Sequence, residues 1–238
     1  MQPVDHNALK SKYGSVWEFR DFPPSSPLYA ILQKLDSRQR LEPSEVAWLT
    51  ENNLFYRESK VAQAYHRHEA LFYEQEFQRT HSLWHLPSAS SHWRRAGKPK
   101  RALKLTDSLN WEQVKDKKLK SALLTTRGGA FRDLHELEET ERCARLAIEY
   151  QPESHHPYTL MGAICYERGE YYEGDRWFAE AIKRGASPRD EDAEIKRVVR
   201  EAKDESKRRE VVEYLLQKDP NRYAWAQSYL KKSQKKKR

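Results

Sequence analysis

Apolar residues recur at helical spacing in the first third of the chain, but not at its start. Residues 28–35 and 45–51 each have apolar positions three or four apart, which predicts two short helices. The longest helix is predicted from Ser59 to about Arg79, where apolar residues trace one face and charged residues fill the other. Residues 1–27 contain four prolines and no sustained period, so we expect an irregular arm. Residues 1–80 are therefore expected to form an arm and an N-terminal helical cap.

A helical pattern with a fixed period fills residues 121–188. Shifting the sequence by 34 positions places Gly128 on Gly162 and Ala147 on Ala181. The coincidences fall on small and apolar positions, where two packed helices need a close approach. A period of 34 residues is typical of stacked helix-turn-helix units. The sequence therefore predicts two consecutive pairs of helices in this segment.

Weaker copies of the same pattern lie on both sides of it. Residues 83–109 keep its spacing at Trp93, Gly97 and Ala102, and Pro99 is placed to open a second helix. After a turn at 186–190, a further pair of helices is expected over 192–202 and 206–218. A final covering helix is expected over 221–232, with aromatic residues on its inner face.

These residues resemble a tetratricopeptide (TPR) repeat array over about 83–220, most clearly over 121–188. The second clear copy has residues of the family's types at Gly162, Gly169, Tyr171, Gly174, Phe178 and Ala181. The first has them at Gly128, Phe131, Ala147 and Pro152, but departs from the pattern at Thr140 and Ala144. The resemblance implies an all-α fold, a TPR-like helical-hairpin solenoid over 81–230 that follows the helical cap and ends in a covering helix.

Composition agrees with thin helical layers. Hydrophobic residues make up 37% of the chain and charged residues 34%, and the mean hydropathy of −1.03 indicates much wetted surface. The aromatic share of 11% argues against a disordered chain. Cys143 and Cys165 lie in predicted helices of adjacent repeats, so there is no disulfide framework, and a reducing compartment is expected.

The sequence gives no sign of a membrane protein. The first twenty residues carry charges and no apolar core, so no secretory signal is expected. No segment approaches the roughly 20 apolar residues that span a bilayer. We expect a cytoplasmic protein, or a nuclear one if the source is eukaryotic, with no membrane partner.

Motifs of common enzymes are missing, so we expect no catalytic activity and no cofactor. There is no glycine-rich phosphate loop, nucleophile elbow or dinucleotide fingerprint. His68-Glu69 begins like a zinc-protease helix, but Phe72 stands where the second ligand belongs. Glu194-Ile195-Lys196 resembles a nuclease triplet, but it lies in a predicted helix without a strand. An enzyme with an unfamiliar helical active site stays open.

Four histidines raise the question of a metal site. They are His66, His68, His81 and His85. Zinc accepts imidazole ligands, and His81 and His85 are four positions apart. His66 and His68 point to different faces of their helix, however, so packed or solvated histidines are the better interpretation. No metal site is predicted.

The TPR resemblance implies that the first helix of each pair lines a concave groove. Its ligand-facing positions correspond here to Trp84, Ser91, Arg94 and Arg95, to Thr125, Gly129, Arg132 and Asp133, and to His156, Thr159, Tyr166 and Glu167. Arg197 and Arg200 lie on the corresponding face of the last pair. The predicted partner-binding residues are Arg94, Arg95, Arg132, His156, Tyr166, Arg197 and Arg200.

Arginines along one groove favour an acidic partner, because each guanidinium group offers a planar fork of donors. An acidic peptide or an acidic surface patch of another protein is the expected ligand. The alternative is that these arginines are solvated or pair with nearby Asp and Glu. The resemblance implies a non-catalytic adaptor or accessory subunit for protein-protein interaction.

Uneven charge supports a second hypothesis, in which the protein is an accessory subunit that contacts DNA or RNA. The net charge is +8, with +7 in the basic band of residues 94–120, +6 in the tail of residues 231–238 and −5 in the rest. Basic side chains beside an aromatic platform suit phosphates and bases. The candidate contacts are Lys98, Lys100, Arg101, Lys104, Trp111, Lys117, Lys118, Lys231, Lys232, Lys235, Lys236, Lys237 and Arg238. The tail has no apolar residue to dock and is expected to be mobile.

Overall fold

The chain is all-helical, as the sequence predicts. A computed structural model describes residues 6–14, 19–23, 25–107, 109–202 and 204–230, and no strand occurs among them. Its helices are α1 (His6–Tyr13), α2 (Pro27–Asp36), α3 (Pro43–Glu51), α4 (Lys60–Thr80), α5 (His85–Arg95), α6 (Pro99–Asp107), α7 (Lys117–Asp133), α8 (Leu137–Tyr150), α9 (His155–Arg168), α10 (Tyr171–Lys183), α11 (Pro188–Glu201), α12 (Glu205–Lys218) and a short 3-10 helix (Ala224–Ala226).

Two compact units divide the chain, Met1–Trp111 and Glu112–Arg238. The α5–α6 pair, which the resemblance places in the repeat array, belongs to the first unit. None of the helices in the described ranges is long and apolar enough to cross a membrane.

The first unit begins with a helix where the sequence analysis expects an irregular arm. That expectation is wrong for His6–Tyr13, which forms α1 and buries Leu9 and Tyr13. Two apolar residues four apart give too short a pattern to reveal a helix of eight residues. The formation of α1 therefore depends on tertiary packing and not on a local sequence pattern that could be recognised.

The predicted helices α2, α3 and α4 are present, and serine side chains cap α2 and α4. The Ser26 hydroxyl accepts a hydrogen bond from the Leu28 N–H at 3.1 Å, and the Ser59 hydroxyl accepts one from the Ala62 N–H at 3.0 Å. Phe19, which comes from the segment expected to be irregular, is 1% exposed in the same core.

The later part of the first unit packs α5 against α4 and α6. Trp93 is 2% exposed, its indole N–H donates to the Glu74 carboxylate, and the Arg101 guanidinium stacks 3.9 Å from its ring centroid. His92, which precedes Trp93, has its Nδ1 atom 3.0 Å from Nδ1 of His66. Since one ring must donate and the other accept, at least the accepting imidazole is neutral.

The second unit contains three successive pairs of helices whose second members begin at a constant spacing. Its second helices, α8, α10 and α12, begin at Leu137, Tyr171 and Glu205, which are 34 residues apart. Helix α9 also contacts α7, α8 and α11, so successive pairs pack side by side.

In each of the first two pairs, an equivalent turn joins the first helix to the second. His135 and Gly169 both have left-handed backbone, with φ of 62° and 87°. The N–H that follows each one returns to the preceding helix, from Glu136 to the Phe131 carbonyl at 3.0 Å and from Glu170 to the Cys165 carbonyl at 2.8 Å. The same local geometry therefore starts α8 and α10.

Glycines allow the helices of a pair to approach closely. A Cβ added at Gly162 would lie 2.8 Å from the Phe178 ring, and one added at Gly174 would lie 2.5 Å from the Tyr166 ring. At Gly128 the nearest atoms would be 3.0 Å away, in Cys143 and Leu160. These distances explain why glycine stands at positions 128, 162 and 174.

Replacing Gly174 with alanine is expected to lower the free energy of unfolding by about 1–3 kcal/mol, because the added methyl overpacks the core. Tyr166 cannot move aside easily, since it is 2% exposed and its hydroxyl is bound to Asp175. Gly128→Ala is the matched control, in which the gain in helix propensity offsets a milder contact. Urea unfolding followed by circular dichroism compares the two. A Gly174→Ala protein as stable as the control would contradict this packing.

The third pair carries the expected core but begins earlier than predicted. Helix α11 starts at Pro188 rather than 192, because Ser187 forms a capping box with Asp190 and Pro188 fits the first turn. Its Ile195 and Val199 pack in one cluster with Val212 of α12.

The helix expected over 221–232 does not begin at 221. The Asp219 carboxylate accepts hydrogen bonds from the N–H groups of Asn221 and Arg222, which makes a tight turn after α12. The 3-10 helix follows, and residues 227–230 are helical. Tyr223 and Ala226 are fully buried against the third pair, so the segment contributes to this core despite its different shape.

Candidate functional site

The predicted groove residues are distributed over both units. Arg94 and Arg95 lie near the end of α5, where Arg94 is half-buried and Arg95 is exposed. The other five lie in the second unit, with His156 and Arg200 exposed and Arg132, Tyr166 and Arg197 buried.

Arg132, near the end of α7, is surrounded by carboxylates of neighbouring helices. Its side chain is 2% exposed. Nε donates to Glu167 Oε1 at 2.6 Å, and Nη1 donates to Glu194 Oε2 at 2.5 Å. Burial alone would lower the pKa of Arg132, but the charges of Glu194 and Glu167 outweigh it and raise that pKa above its usual value. Arg132 therefore stays charged and links α7 to α9 and α11.

Arg197 makes a similar link from α11 back to α7. Nη2 donates to Asp133 Oδ1 at 2.5 Å, and Nε donates to Glu201 Oε2 at 3.0 Å. The side chains of Arg197 and Asp133 are 9% and 6% exposed. Both ends of this pair are thus largely removed from water.

Together these residues form what we call the arginine–carboxylate cluster, which consists of Arg132, Arg197, Asp133, Glu167, Glu194 and Glu201. Four carboxylates face two guanidinium groups. Both arginines bind carboxylates of the chain itself, which is the alternative to an acidic ligand stated in the sequence analysis. The cluster has no surplus of positive charge to attract an acidic peptide.

The sequence holds a periodic signal for this cluster. Asp133, Glu167 and Glu201 are acidic residues at the same place in three successive repeats. An acidic residue that recurs with the helical period beside buried arginines indicates an internal ion-pair network.

Tyr166, another predicted groove residue, has a packing role in this structure. Its hydroxyl donates to Asp175 Oδ1 at 2.6 Å, and the Tyr214 hydroxyl donates to Oδ2 of the same carboxylate at 2.6 Å. Lys218 Nζ lies 2.7 Å from Asp175 as well. Burial, together with the hydrogen bond to Asp175, raises the pKa of Tyr166 well above its usual value.

A cavity of about 440 Å³ opens beside the cluster within the second unit. It lies where α7, α9 and α11 end and α8, α10 and α12 begin. Arg132 and Tyr166 are in its wall, with apolar surface from Tyr171, Val198 and Val211. No local sequence pattern reveals this cavity, because its wall joins residues from six helices.

The predicted nucleic-acid contacts are mostly exposed where the structure describes them. Lys98, Lys100 and Lys104 are exposed and form no ion pair within the described part of the chain. Arg101 differs, because it pairs with Glu74 at 3.1 Å and stacks on Trp93.

The remaining candidate contacts fall in three places. Trp111 is half-buried at the end of the first unit, and Lys117 and Lys118 are exposed in the first turn of α7. Lys231, Lys232, Lys235, Lys236, Lys237 and Arg238 lie outside the described residues.

The histidines do not gather into a metal site within the described ranges, where no group of three or more His, Cys, Asp or Glu is suitably placed. His66 pairs with His92 rather than with His68, and His81 ends α4 in left-handed backbone. Burial, more than neighbouring positive charge, lowers the pKa of His68.

Comparison with known proteins gave no match to a protein-family model, a curated protein or a solved structure. The repeated turns, the buried ion pairs and the cavity are the observations that bear on function.

Proposed function

We propose that this protein is a non-catalytic adaptor or accessory subunit that binds a segment of another protein through TPR-like paired helices. The observation that carries this proposal is the constant stride of 34 residues at the starts of α8, α10 and α12, with equivalent turns at His135 and Gly169. Stacked helix pairs at this period commonly serve as binding scaffolds.

The proposed array is a TPR-like helical-hairpin solenoid. It comprises α7 to α12, with α5 and α6 as a degenerate copy, the helices of residues 1–80 as a cap, and the segment after Asp219 as a cover. Buried ion pairs at Arg132 and Arg197 support a binding role because they fix three successive first helices relative to one another. A scaffold fixed in this way loses little conformational entropy when a partner binds.

The partner's acidic residues are proposed to contact exposed arginines rather than the buried ones. Arg95 is exposed and forms no ion pair within the described residues. Arg95 is therefore the better candidate for the acidic recognition that the resemblance implies, and the half-buried Arg94 precedes it on α5.

Reversing both charges with Arg94→Glu and Arg95→Glu is expected to weaken partner binding by at least about tenfold, since each lost charged contact costs roughly 1 kcal/mol or more. The measurement is affinity purification with the tagged full chain, with nuclease, at two salt concentrations. A control with Arg189→Glu and Arg209→Glu changes the net charge equally at exposed positions of the second unit. Unchanged recovery of the partner by the first variant, with an unchanged thermal melt, would reject the role of Arg94 and Arg95.

A second candidate function is contact with DNA or RNA through the basic band. The observation that favours it is that Lys98, Lys100 and Lys104 are exposed and form no ion pair within the described part of the chain. The same purification separates the two functions. Partners that disappear after nuclease treatment, and affinity that falls steeply between low and moderate salt, would indicate nucleic acid instead of a protein.

A further inference from the structure

The cavity of the second unit has an apolar interior. Tyr171, Val198 and Val211 are 8%, 7% and 2% exposed, and each contributes to the wall. Two small residues, Gly169 and Ala202, also line the cavity. A Cβ placed on Gly169 would still be 3.8 Å from its nearest neighbour, Glu210. The volume of about 440 Å³ is enough for an amino-acid side chain with its adjacent backbone.

Charged groups at the wall are held by partners within the chain. Glu167 binds Arg132, and Glu201 binds Arg197. Arg168 donates to Glu141 at 2.5 Å. These contacts preorganise the wall, so a ligand does not have to order it.

Two other carboxylates of the wall have local partners as well. Asp204 accepts the Ser206 N–H at 2.8 Å and so caps α12. Glu210 lies near the Tyr171 hydroxyl, and burial, then the charge of Glu210, raises the pKa of Tyr171.

The charge balance of the wall disfavours an acidic ligand. Four carboxylates, those of Glu167, Glu201, Asp204 and Glu210, stand against three permanently basic side chains, those of Arg132, Arg168 and Lys207. A carboxylate brought into the cavity would therefore add to an existing excess of negative charge.

Unused hydrogen-bonding groups at this wall are donors. Arg132 Nη2 is buried and has no hydrogen-bond partner within the described residues. Lys207 is exposed and forms no ion pair there. Lys207 can donate to an uncharged oxygen, which does not meet the repulsion that a carboxylate would meet. Arg132 Nη2 itself is closed to solvent.

We propose that this cavity binds a branched or aromatic apolar side chain of a partner polypeptide, together with an uncharged amide oxygen of the same segment. The proposal deepens the protein-binding function given above and rests on it. The proposal places the partner's apolar side chain in the cavity of the second unit.

The test uses three small probes and the full chain labelled with ¹⁵N. N-acetyl-L-leucinamide carries the side chain and the neutral amide, N-acetylglycinamide lacks the side chain, and N-acetyl-L-leucine carries a carboxylate. The first should shift the NMR signals of Gly169 and Ala202 with a Kd in the low millimolar range, as suits a ligand of about twelve non-hydrogen atoms. The glycine compound should bind at least about tenfold more weakly. The acid should bind at least about threefold more weakly.

Ala202→Trp provides the matched mutational test, because it fills the cavity without removing a partner of the arginine–carboxylate cluster. Ala193→Trp places the same side chain on an exposed position of α11 outside the cavity. The first variant should abolish the shifts caused by N-acetyl-L-leucinamide, and the second should retain them. If Ala202→Trp does not fold, the ranking of the three probes on the unaltered chain decides alone.

Absence of shifts at Gly169 and Ala202, or tighter binding of the acid than of the amide, would overturn the proposal. A protein partner whose capture survives Ala202→Trp would overturn the cavity assignment while leaving the adaptor function intact. Binding of the amide by a chain that captures no protein would instead overturn the adaptor function and the polypeptide ligand with it.

Discussion

Replacing Arg132 with methionine is expected to lower the free energy of unfolding by about 3–5 kcal/mol, because it leaves two carboxylates without their buried counter-charge. Glu167 and Glu194 both bind this guanidinium group and come from different helices. Their mutual repulsion would act directly on the packing of α9 against α11. Urea unfolding at neutral pH measures the loss.

The control removes the stranded charges together with the arginine. A triple variant, Arg132→Met with Glu167→Gln and Glu194→Gln, should recover at least half of the lost stability, since replacing a complete buried ion network with neutral residues is often nearly neutral. A single variant that loses less than about 1 kcal/mol would show that Arg132 is not part of a buried network.

Lowering the pH from 7 to 5 is expected to destabilise the first unit by about 2–4 kcal/mol through His66 and His92. Burial, then the charges of His92 and Arg95, lowers the pKa of His66 to about 3. Burial lowers the pKa of His92 to about 4, although Glu69 acts in the opposite direction. Both imidazoles are neutral in the folded chain at pH 5, where the unfolded chain protonates them. The stabilisation is therefore complete above pH 6.5 and is lost progressively as the pH falls toward 4 and 3.

A His66→Gln and His92→Gln double variant isolates this effect, because glutamine does not titrate. Urea unfolding of both proteins at pH 7, 6 and 5 is the measurement. Other histidines with lowered pKa values, such as His68 and His156, are unchanged in the variant and cancel in the comparison. An equal slope of stability against pH in both proteins would exclude the pair as the acid-sensitive element.

The sequence predicts the helical pairs because their evidence is local and repeated. Gly128, Gly162 and Gly174 mark close approaches between neighbouring helices, and their spacing alone indicates the hairpins. Helix α1 is not predicted from the sequence, because two buried residues are too few to define a period. Local patterns thus predict the second unit better than the start of the first.

The candidate site is harder to predict because its contacts are distant in sequence. Arg132 pairs with Glu194, which is 62 positions away in the sequence, and Arg197 pairs with Asp133, which is 64 positions away. Periodicity places these residues on the first helices but does not show whether an arginine faces a ligand or a carboxylate of its own chain. The burial of Arg132 and the cavity beside it follow only from the packed helices.

The most direct test of the adaptor function is photo-crosslinking from the second unit in an extract of the source organism treated with nuclease. A photoreactive amino acid at Lys207, beside the cavity, should give a covalent adduct with one partner protein. The same group at Lys183, exposed on α10 and outside the cavity wall, should not. No protein adduct at Lys207, or the same adducts at both positions, would contradict the account of a preformed helical scaffold that holds a partner segment.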